Sequence, residues 1–485
     1  MTAGSDITMT SSQETGSSEK WAVHIEVRLK PRATARFETI RNRIFDFVHS
    51  FDRINLSSTL EGWEDIPDLA ASVERVVVCD SSCPSHSLHI SEMSLQIHVY
   101  QPSDTDSFEE FTNSTGTRED NDETMAASVC ELPNRSWEGL WDSLIYADDI
   151  KMKLLDYIHA TLVFSDANVD FNLVSWNRVV LLHGPPGTGK TSLCRALAQK
   201  LSIRLSHRYS QARLLEINSH SLFSKWFSES GKLVQRLFSS ITELVDEEDA
   251  FLVVLIDEVE SLTAARAGAM AGTEPSDGLR VVNALLTQLD KLKHRKNVLI
   301  MSTSNLVKAI DSAFVDRADI VQYVDLPSRE AIYEILRTLS MRNRRQGHSV
   351  CHCEFSKPLV LFSRFNVYPK TVPTLKQAQM YELSAMVSSE NAQSSSILDP
   401  REKSKNVALR LLSLAAQCRQ TQGLSGRALR RLPVLALARY IGIGHLTGPP
   451  TANGARKGAG ADVNVWLEGI EKVVKEQAKE QERLI

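Results

Sequence analysis

The segment HGPPGTGKTS, residues 183–192, decides the fold predicted for this chain. It contains the pattern G-x-x-x-x-G-K-T from Gly184 to Thr191, after an apolar run at 179–182 and before apolar residues at helical spacing. The glycines permit the tight curvature that aims successive backbone N–H groups at phosphate oxygens. Because strand, loop and helix come in this order, the segment predicts a phosphate-binding loop.

The loop also carries the side chains that a nucleoside triphosphate needs. We expect Lys190 to reach the β and γ phosphates of ATP and the Thr191 hydroxyl to ligate Mg²⁺. The residues predicted to bind the nucleotide are the loop, one residue after it and one acid farther along the chain: Gly184, Pro185, Pro186, Gly187, Thr188, Gly189, Lys190, Thr191, Ser192 and Asp257.

Two acidic residues end a second apolar run. The stretch FLVVLIDE, residues 251–258, finishes with Asp257 and Glu258. Ligands of open α/β sheets bind at the carboxyl ends of the strands. We therefore expect Asp257 to hold Mg²⁺, and Glu258 to orient and deprotonate the attacking water. Asn305, at the end of NVLIMSTSN, is expected to polarise the same water.

Two arginines are further candidates for catalysis. A γ-phosphate that loses its leaving group spreads charge over several oxygens, so additional guanidinium groups stabilise the transition state. Arg317 in AFVDRADI and Arg427 in GLSGRALRRLP are spaced suitably from the other motifs. Without that spacing, either arginine would be interpreted as a surface or ion-pair residue.

The sequence around these motifs predicts an α/β fold, a parallel sheet with helices on both faces, followed by a helical lid and preceded by an α+β domain. Alternating apolar residues at 23–29 and 95–99 predict half-buried strands in the N-terminal domain. The predicted divisions are a disordered terminus at 1–20, the N-terminal domain at 21–135 with an acidic loop at 102–126, the ATPase core at 136–330, the lid at 331–446 with an insertion at about 341–404, and a linker with a C-terminal helix at 447–485.

Composition limits the possible functions. The 485 residues carry a formal net charge of −5, which gives no general attraction to nucleic acid. Seven cysteines in so long a chain do not suggest a disulfide scaffold. The polar N-terminus resembles no signal peptide, and no apolar run is long enough to span a bilayer, so we expect a soluble intracellular protein.

Two groups of cysteine and histidine residues invite a zinc interpretation, which the sequence does not support. Cys79, Cys83, His86 and His89 have their histidines too close for the usual ligand spacing. A second group is too tightly spaced for tetrahedral ligation from one stretch and comprises His348, Cys351, His352 and Cys353.

Longer stretches resemble the pachytene checkpoint AAA+ ATPase family, which includes the thyroid-receptor-interacting member of animals. They are LLEINSHSLFSKWFSESGKLV, FLVVLIDEVESL, GTEPSDGLRVVNALLTQLD and DSAFVDRADIVQYVDLPS. The resemblance is strong over 137–340 and 405–446 and weaker elsewhere. It implies a homo-hexameric ring that unfolds part of HORMA-domain proteins, directly or through an adaptor, in meiotic chromosome-axis regulation, the recombination checkpoint and the spindle checkpoint.

The resemblance also assigns roles to single residues. It makes Lys190 and Thr191 the Walker A pair, Asp257 and Glu258 the Walker B pair, and Asn305 the first sensor. Arg427 then corresponds to the second sensor. Arg317 corresponds to the arginine finger that acts on the neighbouring subunit, although many AAA proteins have two arginines here and this chain has one.

The segment Lys225-Trp226-Phe227 lies where AAA unfoldases have their first pore loop. A ring of bulky aromatic side chains can grip an extended chain without reading its sequence. The alternative interpretation is that Trp226 and Phe227 are core residues. The polar residues around the pair favour an exposed loop. The stretch AARAGAMAGTEPSDG at 264–278 would be a second flexible loop on the same axis.

Three other functions remain as alternatives. A nucleic-acid motor needs a basic channel with stacking aromatic residues, whereas the pore segment offers only Lys225, so we expect no sequence-specific nucleic-acid binding. A nucleotide-switched scaffold would be expected to lack Glu258 or the arginine acting in trans. A microtubule-severing ATPase would be repelled by the acidic 102–126 region. The resemblance implies residence in the nucleus, on meiotic chromosomes and in the nucleolus, and also in the cytoplasm.

Overall fold

The computed structural model describes most of the chain, and the predicted terminus at 1–20 lies almost entirely outside it. The described residues are 20–105 except 82 and 84, then 109–110, 127–167, 169, 174, 176–219, 230–247, 249–261, 277–293, 295–306, 310, 312–341, 373–387, 400–420, 423–441 and 463–483.

The secondary structure alternates strands and helices until about residue 330 and is helical afterwards. The strands are β1 Trp21–Leu29, β2 Arg53–Asn55, β3 Val73–Ser81, β4 Ser87–His89, β5 Met93–Tyr100, β6 Glu109–Glu110, β7 Ala127–Leu132, β8 Val179–His183, β9 Gln211–Asn218, β10 Ala250–Asp257, β11 Val298–Ser304 and β12 Ile320–Tyr323. The helices are α1 Phe37–His49, α2 Pro67–Ser72, α3 Leu140–Ser143, α4 Ile150–Asp166, α5 Lys190–Arg204, α6 Ser230–Val245, α7 Asp277–Leu292, α8 Ser312–Val315, α9 Arg329–Met341, α10 Leu375–Val387, α11 Pro400–Gln420, α12 Gly426–Ala436 and α13 Val463–Glu482.

The chain forms two compact units, of which the first comprises residues up to 103 together with 202–210. Its main sheet has the order β3-β1-β5, with β1 antiparallel to β3 and parallel to β5. Helix α1 contributes Ile40, Ile44 and Val48, one per turn, to a core shared with the alternating residues of β1. The predicted α+β character of the N-terminal domain and both of its predicted strands are confirmed.

The second unit contains a seven-stranded sheet of order β12-β8-β11-β10-β9-β7-β6. The five strands from β8 to β12 are parallel, as predicted from their apolar runs. One face packs its residues with α6 and α7 in a single core. The alternate residues, among them Val180, Leu182 and Val253, are fully buried on the other face, so both faces of the sheet are covered.

The edge of this sheet differs from the predicted domain division. Strand β7 pairs antiparallel with β9, from Ala127 opposite Ile217 to Leu132 opposite Ala212, and β6 pairs with β7. Residues 127–132 therefore belong to the large sheet and not to the N-terminal domain predicted at 21–135. The sequence did not predict this strand in the large sheet because residues 127–132 directly follow the acidic region, which suggested that they belong to the N-terminal domain. Most of the acidic region lies outside the described residues.

The helical lid has one core built from α9 to α13. The C-terminal helix α13 buries Trp466, Leu467, Ile470, Val473 and Val474, which the sequence placed on one helical face. Helix α10 lies within the range predicted as an insertion, yet its Ala378 is fully buried in the lid core. Part of 341–404 is therefore lid, whereas 342–372 and 388–399 lie outside the described residues, as does the predicted linker up to residue 462.

The sequence also predicted that the chain has no membrane-spanning segment and no zinc site. Among the described helices, none has the length and apolarity that a membrane span requires. In the described parts of the chain, no three His, Cys, Asp or Glu side chains are grouped as metal ligands would be. The Nδ1 atom of His89 lies 2.7 Å from the Ser91 hydroxyl and accepts from the Ser91 N–H in a helix cap. The group from His348 to Cys353 lies outside the described residues.

The packing of α13 generates a stability prediction. Replacing Leu467, which is 3% exposed, by alanine leaves a cavity in the lid core and should cost about 2–5 kcal/mol. Val465 on the same helix is 43% exposed, so Val465→Ala should cost at most about 0.5 kcal/mol. Thermal unfolding of the two variants tests this. Equal unfolding midpoints would show that α13 does not contribute to the lid core.

Candidate nucleotide site

The phosphate loop connects the end of β8 to the first turn of α5. Gly184, Gly187 and Gly189 have φ angles of 141°, 77° and 92°, which side chains with a Cβ rarely adopt. The Thr188 hydroxyl donates to the Pro185 carbonyl at 3.0 Å and closes the turn. Residues 184–189, which include Pro186, therefore form a curved backbone. Ser192 lies in the first turn of α5.

Lys190 is held inside this loop. Its Nζ donates to the carbonyl oxygens of Gly184 and Pro185, at 2.8 Å in each case, and the residue is only 5% exposed. Burial lowers the pKa of Lys190, and the negative charges of Glu260 and then Asp257 oppose this effect. The ammonium group thus lies within the curve, where triphosphate oxygens can replace the carbonyls as its acceptors.

The predicted magnesium ligands meet each other. The Thr191 hydroxyl donates to Asp257 Oδ1 at 3.0 Å, and the Thr303 hydroxyl donates to the same oxygen. A hydroxyl beside a carboxylate offers the hard oxygen donors that Mg²⁺ prefers. The residues present therefore fit a magnesium ion, with Thr191 and Asp257 as its protein contacts.

Glu258 has an unusual backbone conformation. Its φ angle is 58°, in the left-handed region, and the side chain is exposed. The Glu258 N–H donates to Thr303 Oγ1 at 3.3 Å, and the buried Ser219 hydroxyl lies 2.7 Å from the Glu258 carbonyl. Strain at a functional residue persists only when its surroundings fix it. These contacts hold the backbone of Glu258 in this conformation, while its side chain remains exposed.

Asn305 meets a residue that the sequence did not single out. Its backbone N–H and its side-chain Nδ2 both donate to Glu260 Oε1, each at 3.1 Å. The sequence predicted that Asn305 shares a water with Glu258, and it gave no reason to select the acid two residues farther on. The only indication in the sequence is that the motif DEVE, residues 257–260, contains a third carboxylate, that of Glu260.

The lid reaches the loop through the start of α12. The Arg427 N–H donates to the Gly187 carbonyl at 3.2 Å, and the Ser425 hydroxyl caps α12 by accepting from the Ala428 N–H. The positive charge of Arg427 also acts to lower the pKa of Lys190. The structure therefore brings Arg427 to the nucleotide site of its own chain.

Arg317 is bound elsewhere within the chain. Its Nε and NH2 groups donate to the two carboxylate oxygens of Asp290 on α7, each at 2.9 Å, and NH1 donates to the Ala313 carbonyl. The side chains of the pair are 30% and 41% exposed. Of the four predicted catalytic residues, Arg317 is thus the one held by a side-chain ion pair away from the loop.

The segment before α4 provides contacts that the sequence analysis missed. The Tyr146 hydroxyl donates to the Gly189 carbonyl at 3.4 Å, and burial raises the pKa of this tyrosine. Arg430 of α12 donates to the Ser143 carbonyl at 2.8 Å. This short segment therefore contacts both the phosphate loop and the lid. Lys225, Trp226 and Phe227 of the predicted pore loop lie outside the described residues, as does most of 264–278.

The contact between loop and lid predicts two different outcomes for glycine substitutions. A Cβ on Gly187 would lie 2.7 Å from the Ser425 hydroxyl oxygen, at a φ angle of 77°. Gly187→Ala should therefore weaken nucleotide binding by about tenfold or more, the equivalent of roughly 1.4 kcal/mol. Gly426→Ala is the matched control, because its Cβ would meet the Gly187 carbonyl oxygen at 3.5 Å, an ordinary contact. Titration of a fluorescent ATP analogue decides between them, and equal affinities would contradict the prediction.

Comparison with known proteins places this site in a family. Residues 18–105 match the TRIP13 N-terminal domain, 180–326 the ATPase family associated with various cellular activities (AAA), and 370–449 the TRIP13-like AAA+ ATPase lid C-terminal domain. The pachytene checkpoint protein 2 homolog of Gallus gallus is 45% identical over 424 residues, which cover 86% of this chain and 88% of the relative. That of Homo sapiens is 43% identical over 426 residues, covering 87% and 89%.

A solved structure agrees with these relatives. The structure of C. elegans PCH-2 has a TM-score of 0.63 and 29% identity, and the match covers 95% of this chain and 100% of that one. The predicted AAA+ fold with an N-terminal domain and a helical lid is confirmed, and the chain is an ATPase. The chain belongs to the pachytene checkpoint protein 2 (TRIP13) family of AAA+ ATPases.

Proposed function

We propose that this ATPase is a hexameric remodeller that unfolds part of HORMA-domain proteins, directly or through an adaptor. The observation that carries the proposal is the combination of a TRIP13-type N-terminal domain, at 18–105, with an AAA core and a TRIP13-like lid. The clients and the assembly follow from the family resemblance. We extend the proposal to meiotic chromosome-axis regulation and the recombination and spindle checkpoints, with residence in the nucleus, the nucleolus and the cytoplasm.

The residues of the site divide the chemistry of ATP hydrolysis between them. Lys190 exchanges its two carbonyl acceptors for phosphate oxygens, which carry the negative charge that the carbonyl groups lack. Thr191 and Asp257 would hold Mg²⁺, which would neutralise negative charge on the phosphates. Glu258 accepts the proton of the attacking water, and Asn305 orients that water.

The lid responds to whether the phosphate loop holds a triphosphate or a diphosphate. Arg427 contacts the Gly187 carbonyl through its backbone and acts on Lys190 through its charge. A triphosphate in the loop adds negative charge to which the Arg427 guanidinium is attracted. Loss of the γ-phosphate weakens this attraction, so hydrolysis changes the contact between loop and lid.

Arg317 is proposed to complete the site of the adjacent subunit. Its ion pair with Asp290 fixes the guanidinium plane before any neighbour is present. An arginine acting in trans stabilises the transferring phosphoryl group, and removing one costs on the order of a thousandfold in turnover. Activity should therefore depend on ring assembly.

Mixed rings test this assignment of Arg317. Mixing Arg317→Ala subunits with Glu258→Gln subunits, each variant inactive alone, should restore part of the ATPase activity, because a mixed ring contains sites with an intact Glu258 whose neighbour supplies Arg317. Arg295→Ala is the control, since Arg295 forms an exposed ion pair with Asp246 and should leave activity unchanged. ATPase rates across a series of mixing ratios provide the measurement. No recovery of activity at any mixing ratio would contradict action in trans.

Remodelling itself is tested with a purified HORMA-domain protein. We expect the client to stimulate ATP turnover and its conformer ratio to change only when ATP is present. Trp226→Ala should retain basal turnover within about threefold but lose the conversion of the client between conformers, because the proposed pore loop grips the client through Lys225, Trp226 and Phe227.

The same assay with single-stranded DNA in place of the client addresses the alternative of a nucleic-acid motor, and stimulation by DNA alone would favour that alternative.

A further inference from the structure

Glu260 is the carboxylate that fixes Asn305. Both N–H donors of Asn305, the backbone amide and the side-chain Nδ2, converge on the single oxygen Oε1 of Glu260 at 3.1 Å. Two donors from one residue define its position with respect to the acceptor more closely than one donor would. The last residues of the β11 segment are thereby tied to the turn that follows β10.

The chemistry of this contact settles the orientation of the Asn305 amide. An ionised carboxylate accepts hydrogen bonds and has no proton to donate, so the amide must turn its NH₂ group towards Glu260. The acceptor Oδ1 then points to the other side of the amide. A carbonyl oxygen can accept a hydrogen bond from the attacking water and so aim the water's lone pair, whereas an NH₂ group in the same place cannot.

A parallel set of contacts lies two residues earlier. The Thr303 hydroxyl binds Asp257 and also accepts from the Glu258 N–H. Thr303 lies in β11 and Asn305 directly follows the strand, so the two residues form successive links between this segment and the acidic segment after β10. The first link joins Thr303 to Asp257 and to the backbone of Glu258. The second link joins Asn305 to Glu260.

Glu260 also lies within the electrostatic field of the phosphate loop. Burial lowers the pKa of Lys190, and among the acids that oppose this effect Glu260 is stronger than Asp257. Its second oxygen, Oε2, is buried and forms no hydrogen bond within the described parts of the chain. A buried carboxylate oxygen without a hydrogen bond is costly, and such groups in native structures are associated with functional sites.

We propose that Glu260 is a positioning residue for ATP hydrolysis, which holds the Asn305 amide with its oxygen turned towards the attacking water. Glu258 and Glu260 differ in their surroundings: Glu258 is exposed, whereas Oε1 of Glu260 is engaged by Asn305. The inference rests on the proposed role of Asn305 and adds the residue through which that role is exerted.

A double-mutant cycle in the full-length protein tests the proposal. The variants are Glu260→Ala, Asn305→Ala and the double variant, with Glu260→Gln as the conservative change and Glu243→Ala, an exposed acid of α6, as the matched control. Steady-state ATPase kinetics give kcat and KM, and titration of a fluorescent ATP analogue gives the affinity. Thermal unfolding shows whether each variant is folded.

The expected result is a loss of turnover with little loss of binding. Glu260→Ala should lower kcat roughly tenfold to a hundredfold, as a misoriented water does, with KM and nucleotide affinity within about threefold. Glu260→Gln retains an acceptor for Asn305 and should recover much of this loss. The double variant should equal Asn305→Ala alone, because Glu260 acts through Asn305, and Glu243→Ala should match wild type.

Three outcomes overturn the assignment in distinguishable ways. If Asn305→Ala is fully active, the proposed role of Asn305 fails, and the role of Glu260 fails with it. If Asn305→Ala is impaired but the Glu260→Ala effect multiplies with it in the double variant, only the inference about Glu260 fails. A Glu260→Ala effect confined to nucleotide affinity also rejects a positioning role, since it would assign the residue to binding.

Discussion

The contact between Gly187 and the start of α12 is the constraint on which the nucleotide site depends. The Gly187 carbonyl accepts the Arg427 N–H, and the Ser425 hydroxyl occupies the space that a side chain at Gly187 would fill. The same residues begin a helix whose Leu429 and Leu432 are fully buried in the lid core. Because a packed core moves as a unit, a change in the loop cannot occur without a response from the lid.

The second constraint is the charge of Lys190. A buried ammonium group needs acceptors, and here two loop carbonyls supply them while Glu260 and Asp257 supply negative charge. Arg427 adds a like charge close by. A triphosphate bound in the loop would reduce the repulsion between these two cations. This explains how a loop and a lid from distant parts of the sequence come to respond to one ligand.

The elements nearest the phosphates were predictable from the sequence, and their neighbours were not. Local rules identify the loop, the apolar run ending at Asp257 and the five parallel strands, because each depends on residues close in sequence. The contact of Asn305 with Glu260 and that of Arg317 with Asp290 join residues 45 and 27 positions apart. Many acids at such separations look equivalent in a sequence. Strand β7 was missed because its pairing with β9 crosses the boundary that the acidic region suggested.

The ion pair of Arg317 with Asp290 connects this single-chain geometry with the proposed ring. A partly exposed ion pair contributes only about 0–1 kcal/mol, so it does little for the stability of the subunit. Its two parallel hydrogen bonds nevertheless restrict a long side chain to one orientation. In the proposed ring, a neighbour's triphosphate would meet an arginine whose conformational entropy has already been lost, so less binding energy would be spent on ordering it. A weak bond in the isolated subunit thereby prepares a strong interaction in the assembly.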